Sequence, residues 1–500
     1  MKPLCNYGER LLYGLVAVLG LSFWFLVAFP FANHNESYIW VAQLSRLSLL
    51  EVLSKGLQPV SGFRPLGLAT AWAGFKLSGG SIYPQQVFNY LIAALAWLIL
   101  LSAIREKKMF AWVSLIAGGA FFSGYIYLFH LHGVFYSPLL AFVAFLVASA
   151  IPRHELKTRG LAIISVLAAA ISLYHPFALP LYGAYLLGHL VESGRAIGRK
   201  RLVASSLLIV AACLLMRLLV PGRAFSLTHS PVLGLLTSYR TMELKRVLSA
   251  VSLLLSLGTV LSMRRTWRTQ AVLGGAVVLL SLIFLRLRLP ILIVWVAVSF
   301  LKAALASRWR IALVIAAAAI LPAVSGTGSP TYAVFAVMCC CCILALDSGF
   351  LEKRSAILNA VSGLAVIGAV LAVVALRAGV SVPVVSKLAT PVLAEKEKTF
   401  QLDEIIRWWA GSDHHSYRLV LGQAARNPTE STDAIDRTRR APTSQDYLDA
   451  YVSASGPHRQ ETWPGELVIC FGEEKIDGAT KVYAAPGRYN GEAAVYLKGP

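Results

Sequence analysis

Long apolar runs recur from Leu11 to Leu376, separated by short polar connections. Many approach the length of about 20 residues that carries an α-helix across a bilayer core of about 30 Å. The pattern predicts spans over 11–29, 85–103, 110–128, 134–151, 160–173, 178–191, 203–220, 247–262, 271–285, 291–306, 311–323, 331–346 and 357–376, about thirteen in all. Two further apolar stretches, Tyr38 to Leu53 and Pro65 to Leu77, are too short or too interrupted to cross. They read as helices lying at the membrane interface.

Beyond Pro383 the chain changes character, gaining Asp, Glu, Arg, Gly and Pro. Glu397 to Trp409 has helical spacing, while Leu467 to Phe471, Lys481 to Ala484 and Ala493 to Leu497 alternate as short strands. Pro486 to Gly491 supplies the turn between the last two. The expected architecture is therefore an all-α polytopic membrane part over residues 1–380, with a long first loop at 30–84, and a small α+β domain over 381–500.

Composition agrees: 57% of the residues are hydrophobic and 14% charged, against about 25% charged in soluble domains. That excludes a single soluble core. The net charge of +21 would suggest nucleic acid in a soluble protein. Here the basic residues fall in alternate connections: Arg105, Lys107 and Lys108; Arg153, Lys157 and Arg159; Arg195, Arg199, Lys200 and Arg201; Arg264, Arg265 and Arg268; Arg308 and Arg310; Lys353 and Arg354. Such loops face the cytoplasm. The N-terminus is then expected inside a multi-pass cell membrane protein and the C-terminal domain outside, with no nucleic-acid partner.

Ionisable groups at the edges of spans are costly and mark function. On the expected outer side lie His34, Glu36, His130, His132 and His175, and the arginines Arg64, Arg240, Arg286 and Arg288, with Arg217 near a span end. Imidazoles can bind a phosphate or an acceptor hydroxyl, or share a proton with Glu36. Outer arginines run against the orientation rule and suit an anionic lipid head group, since a guanidinium fork matches phosphate oxygens. No cofactor is expected; a divalent metal is compatible with the layout, but no ligand spacing indicates one. The seven cysteines, four of them at Cys339 to Cys342, form no spaced framework and read as small apolar packing. In the tail, Trp408-Trp409 and Asp413-His414-His415 suggest sugar stacking or a metal, against which interface anchoring or domain packing is the favoured reading.

The layout resembles the GT-C superfamily of integral membrane glycosyltransferases, over about residues 1–220. The matching pieces are the first span, Asn35-Glu36-Ser37-Tyr38 directly beyond it, the long first loop with interfacial helices, Arg64-Pro65-Leu66, Tyr174-His175-Pro176-Phe177 and a polar outer tail. Members often carry paired acids where this chain has the single Glu36, preceded by Asn33 and Asn35. The resemblance implies transfer of a sugar from a polyprenyl-phosphate carrier to a cell-envelope glycan, lipid or protein acceptor on the outer face. Glu36 would be the general base, with His34 and His175 beside it in the catalytic group. Arg64, Arg240, Arg286, Arg288, His130 and His132 would bind substrate, and direct displacement would invert the anomeric centre. The alternatives are a polymerase or ligase using lipid-linked sugars, favoured by a large late loop, and a transporter or flippase, favoured by ionisable groups in mid-membrane.

Overall fold

A computed structural model describes residues 47–55, 64–78, 83–104, 133–152, 158–193, 246–263, 265–325, 333–346, 383–422 and, with breaks at 473 and 490, 464–498. It also describes single positions at 232, 235, 236, 239, 240, 371, 375, 448 and 452. The spans expected at 11–29, 110–128 and 203–220, and most of 357–376, lie outside the described residues, as do His34, Glu36, His130 and His132.

The described chain is mostly helical. The helices are α1 (Leu49–Lys55), α2 (Pro65–Leu77), α3 (Tyr83–Ala103), α4 (Gly133–Ala150), α5 (Thr158–Ser172), α6 (Ala178–Ser193), α7 (Arg246–Leu261), α8 (Trp267–Arg286), α9 (Leu292–Leu305), α10 (Trp309–Ser325), α11 (Ala333–Leu346) and α12 (Pro383–Gly411). Nine of the expected spans thus appear as helices at nearly the expected limits. Two, Pro84–Ala103 and Trp267–Arg286, are long and apolar enough to cross a membrane, each with a mean hydropathy of 1.8. Others are shorter apolar helices.

Contacts divide the chain into two units. The first comprises the described parts of 1–26, 90–127 and 135–380. At its centre is α11, in which every residue is buried, including Cys339, Cys340, Cys341 and Cys342, all unbridged. A helix apolar all round has no face to give to water. Trp295 of α9 is also fully buried and donates its indole N–H to Thr259 Oγ1 at 3.1 Å. By contrast α8 is mostly uncovered: Val272 is 72% exposed, with Leu279, Leu280, Leu282 and Leu285 also open. An apolar helix exposed on this scale is a membrane or partner surface.

The second unit comprises the described parts of 27–89, 128–134 and 381–500. In the first loop, Trp72 of α2 donates Nε1–H to the Leu47 carbonyl at 2.8 Å, tying α2 to the start of α1. Pro65 opens α2 at a position where its missing N–H costs nothing. Where α2 meets the start of α3, the amide of Gln85 donates to Asn89 Oδ1 at 3.2 Å, and both side chains are buried.

The C-terminal segment forms a four-stranded sheet of β1 (Arg418–Leu421), β2 (Glu466–Phe471), β3 (Thr480–Ala485) and β4 (Ala493–Lys498), in the order β1-β2-β4-β3. β1 runs parallel to β2, and the remaining pairs are antiparallel. Leu402, Ile405 and Trp409 of α12 pack on Leu419, Leu467, Ile469 and Val495. Their spacing of three and four residues places them on one helix face. The turn between β3 and β4 is latched to the same helix. Glu397 accepts from the backbone N–H of Arg488 and of Tyr489, the latter at 2.6 Å, and Gln401 Nε2 donates to the carbonyls of Gly491 at 2.7 Å and Ala485 at 3.2 Å. A Cβ on Gly487 would run into Gly491 O and Gln401 Nε2, so only glycine fits there.

Candidate functional site

His175 occupies the turn between α5 and α6 and is fully buried. Its ring packs at 5.1 Å from Tyr136 and 4.8 Å from Phe177, and its Nδ1 accepts from the Phe177 backbone N–H at 3.3 Å. Nδ1 therefore carries the lone pair. This is the geometry of a side chain that shapes its turn.

Arg64 takes the N-cap position of α2 and is half-buried, with its carbonyl accepting from Leu68 N at 3.1 Å. Arg240 is exposed and follows Tyr239, whose buried hydroxyl donates to the Ala319 carbonyl at 3.4 Å. Arg286 closes α8, and Arg288 follows two residues later, both exposed.

Arg288 has a φ of 56°. The backbone around it is a Schellman turn: Arg288 N donates to Leu285 O at 3.1 Å and Leu289 N to Phe284 O at 2.7 Å. Glycine normally takes this left-handed position, because a Cβ there costs about 1 kcal/mol or more. The chain instead presents a cation. Ser307 repeats the motif after α9, with a φ of 56°. Arg240, Arg286 and Arg288 engage no acceptor among the described residues, so three guanidinium groups stand open to an anion.

A second polar arrangement lies inside the first unit, and sequence reasoning passed over it. Tyr182, Tyr185, His189 and Glu192 follow one another at intervals of three and four residues along α6, which aligns them on one face. Tyr182 hydrogen-bonds Ser165 of α5, and Tyr185 meets Ser149 of α4 at 2.8 Å. Glu192 pairs with Nε of Arg310 and also accepts the Arg310 backbone N–H at 2.8 Å, capping the start of α10. Arg310 Nη2 donates to the Pro152 carbonyl at 3.1 Å, and the neighbouring Arg308 donates to that of Ile151 at 2.5 Å. Tyr182, Tyr185, His189 and Arg310 are all buried. The signal was the spacing of hydroxyl, imidazole and carboxylate groups inside an apolar helix.

Lys302 forms a third element. It is buried in the last turn of α9, where Nζ donates to Ser262 Oγ at 2.8 Å and to the Ile343 carbonyl at 3.0 Å. It pins α9 to the ends of α7 and α11. Among the described residues no group of three or more His, Cys, Asp or Glu side chains is arranged to hold a metal ion. Comparison with protein-family models, curated proteins and solved structures finds no match to this chain.

Proposed function

We propose that the chain is a multi-pass membrane glycosyltransferase of the GT-C type, transferring sugar from a polyprenyl-phosphate carrier to a cell-envelope acceptor on the outer face with inversion. The observation that carries the reading is the end of α8, where Arg286 and Arg288 stand exposed beside a helix that is otherwise open and apolar. A lipid whose chain lies along α8 would bring its phosphate to those arginines. The departing lipid phosphate gains negative charge, which fixed cations stabilise more than they stabilise the intact donor. Glu36 is the proposed base that takes the acceptor hydroxyl's proton as its oxygen attacks the anomeric carbon. Arg64 and Arg240 are further candidate cations for the substrate, with His130 and His132 as further candidate substrate contacts. His34 is assigned with Glu36 to the catalytic group, and His175, being enclosed in its own turn, would act by holding that turn.

The test is transfer in lipid nanodiscs from polyprenyl-phosphate sugars to a panel of envelope acceptors, run with Glu36→Gln. Turnover is expected to fall by roughly two to four orders of magnitude with donor binding retained. Full transfer by Glu36→Gln would remove Glu36 from the role. Reporters fused after Arg201 or Arg268 should stay cytoplasmic and one at Pro500 should be outside; a cytoplasmic Pro500 overturns the topology.

A second reading is transport or flipping of a lipid-linked sugar. The observation favouring it is the buried line of Tyr182, Tyr185 and His189 leading to the Glu192 and Arg310 pair, because ionisable groups inside membrane helices mark pathways. Movement of a labelled lipid-linked sugar across proteoliposomes, lost on His189→Ala while sugar transfer is absent, would establish it in place of the first.

A further inference from the structure

The tryptophan pair of the C-terminal domain divides its labour. Trp409 is buried in the core and donates its indole N–H to the Tyr417 carbonyl at 3.0 Å. Trp408 and Tyr483 are only partly buried, at the margin of that core. The Trp408 ring lies flat against Tyr483 of β3, with centroids 4.5 Å apart and planes 13° from parallel, and both rings are half-exposed. His414 comes within 5.7 Å of Trp408 and 5.9 Å of Tyr417, continuing the aromatic surface.

The rim of this surface is polar in a particular way. The Tyr483 hydroxyl donates to Glu404 Oε1 at 2.8 Å, one helical turn before Trp408. Arg407, next to Trp408 in sequence, and Asp413 and His415, on either side of His414, are exposed. Among the described strands β3 lies at the edge of the sheet, with Tyr483 on it. Planar rings give a flat apolar face to the C–H groups of a pyranose, while carboxylate, guanidinium and imidazole groups each offer paired or directional partners to neighbouring hydroxyls. Mixed charge around stacked aromatics matches a neutral, hydroxyl-rich ligand.

We propose that Trp408, Tyr483 and His414 form a binding shelf for a neutral oligosaccharide, with Glu404 and Arg407 fixing its hydroxyls. None of these residues is among those assigned to the proposed transfer centre, and binding here requires no donor. If the transferase reading holds, the shelf retains the growing or accepting glycan; if that reading fails, a glycan-binding domain remains.

The experiment is binding of the full chain in nanodiscs to an immobilised panel of neutral α- and β-linked hexose and pentose oligosaccharides, without lipid donor. Wild type is expected to retain at least one series. Trp408→Ala should weaken it about tenfold or more, whereas Trp408→Phe, which keeps a ring, should lose less. Glu404→Gln keeps the packing and should reduce affinity with the fold intact, which guards against Trp408→Ala acting through misfolding. The proposal is overturned if no member of the panel binds, or if Trp408→Ala and Glu404→Gln both bind as wild type. It is equally overturned if brominated lipids quench the fluorescence that Trp408→Phe removes, since the ring would then lie in the bilayer.

Discussion

Gly188 of α6 and Arg310 of α10 meet backbone to backbone: a Cβ built on Gly188 would lie 2.5 Å from the Cα of Arg310 and 2.6 Å from its amide nitrogen. Neither atom belongs to a side chain that can swing aside. Gly188→Ala should therefore push the helices apart, disturb the Glu192 and Arg310 pair, and destabilise the protein by about 2 kcal/mol or more. Gly183, on the same helix, has nothing within 4 Å of its missing Cβ, so Gly183→Ala should be neutral or slightly stabilising. Thermal unfolding of the two variants in one detergent compares them directly; equal midpoints would mean the helices are not in contact at Gly188.

The left-handed residue at the end of α8 separates backbone cost from electrostatic use. Arg288→Gly should leave stability unchanged or raise it by up to about 1 kcal/mol, while weakening retention of polyprenyl phosphate. Ser307→Gly should share the first effect without the second. Lipid binding by Arg288→Gly at the wild-type level would leave the strain without a use.

The buried pair at the start of α10 is sensitive to asymmetric change. Glu192→Ala strands the Arg310 guanidinium in a closed environment and should cost about 3–5 kcal/mol. The double variant Glu192→Ala with Arg310→Met removes both charges and should recover part of that loss. A double-mutant cycle measures the coupling, and strictly additive losses would show that the two groups do not interact.

Cys470 of β2 offers a probe of the C-terminal domain. Burial, and then the carboxylate of Glu474, push its thiol up to about 12. The raised value favours the protonated form, so the associated stability is fully present below the ordinary thiol range and is lost only as pH climbs toward 12. Alkylation at pH 8 should therefore be slow while the domain is folded, and Glu474→Gln should accelerate it. Rapid labelling of native wild-type protein at pH 8 would contradict the burial.

Much of the helical framework was legible in the sequence because long apolar runs bounded by charge are the strongest local pattern a chain carries. Three of the four strands were readable for the same reason, from alternation beside turn residues. β1 was missed: it has four residues, Arg418 to Leu421, and its partner β2 begins only at Glu466, so no local pattern announces the pairing. α12 was read as beginning at Glu397, yet it runs from Pro383 straight through Pro391, where a proline normally signals a break. At the candidate site, the open arginines were visible as exceptions to the orientation rule. Glu192 with Arg310 was invisible, since its members are 118 residues apart and belong to segments read as a span end and a basic loop.

The strand order of the C-terminal sheet carries a consequence for how that domain comes into being. β4, the last strand in the chain, lies between β2 and β3 and hydrogen-bonds to both. Until Ala493 to Lys498 have emerged from the ribosome, β2 and β3 have no common neighbour, and α12 faces a sheet with a slot through its middle. The sheet is thus completed by insertion of the last of its four strands in sequence order. A chain cut before Ala493 would leave one edge of β2 unpaired and β3 with no partner among the described strands.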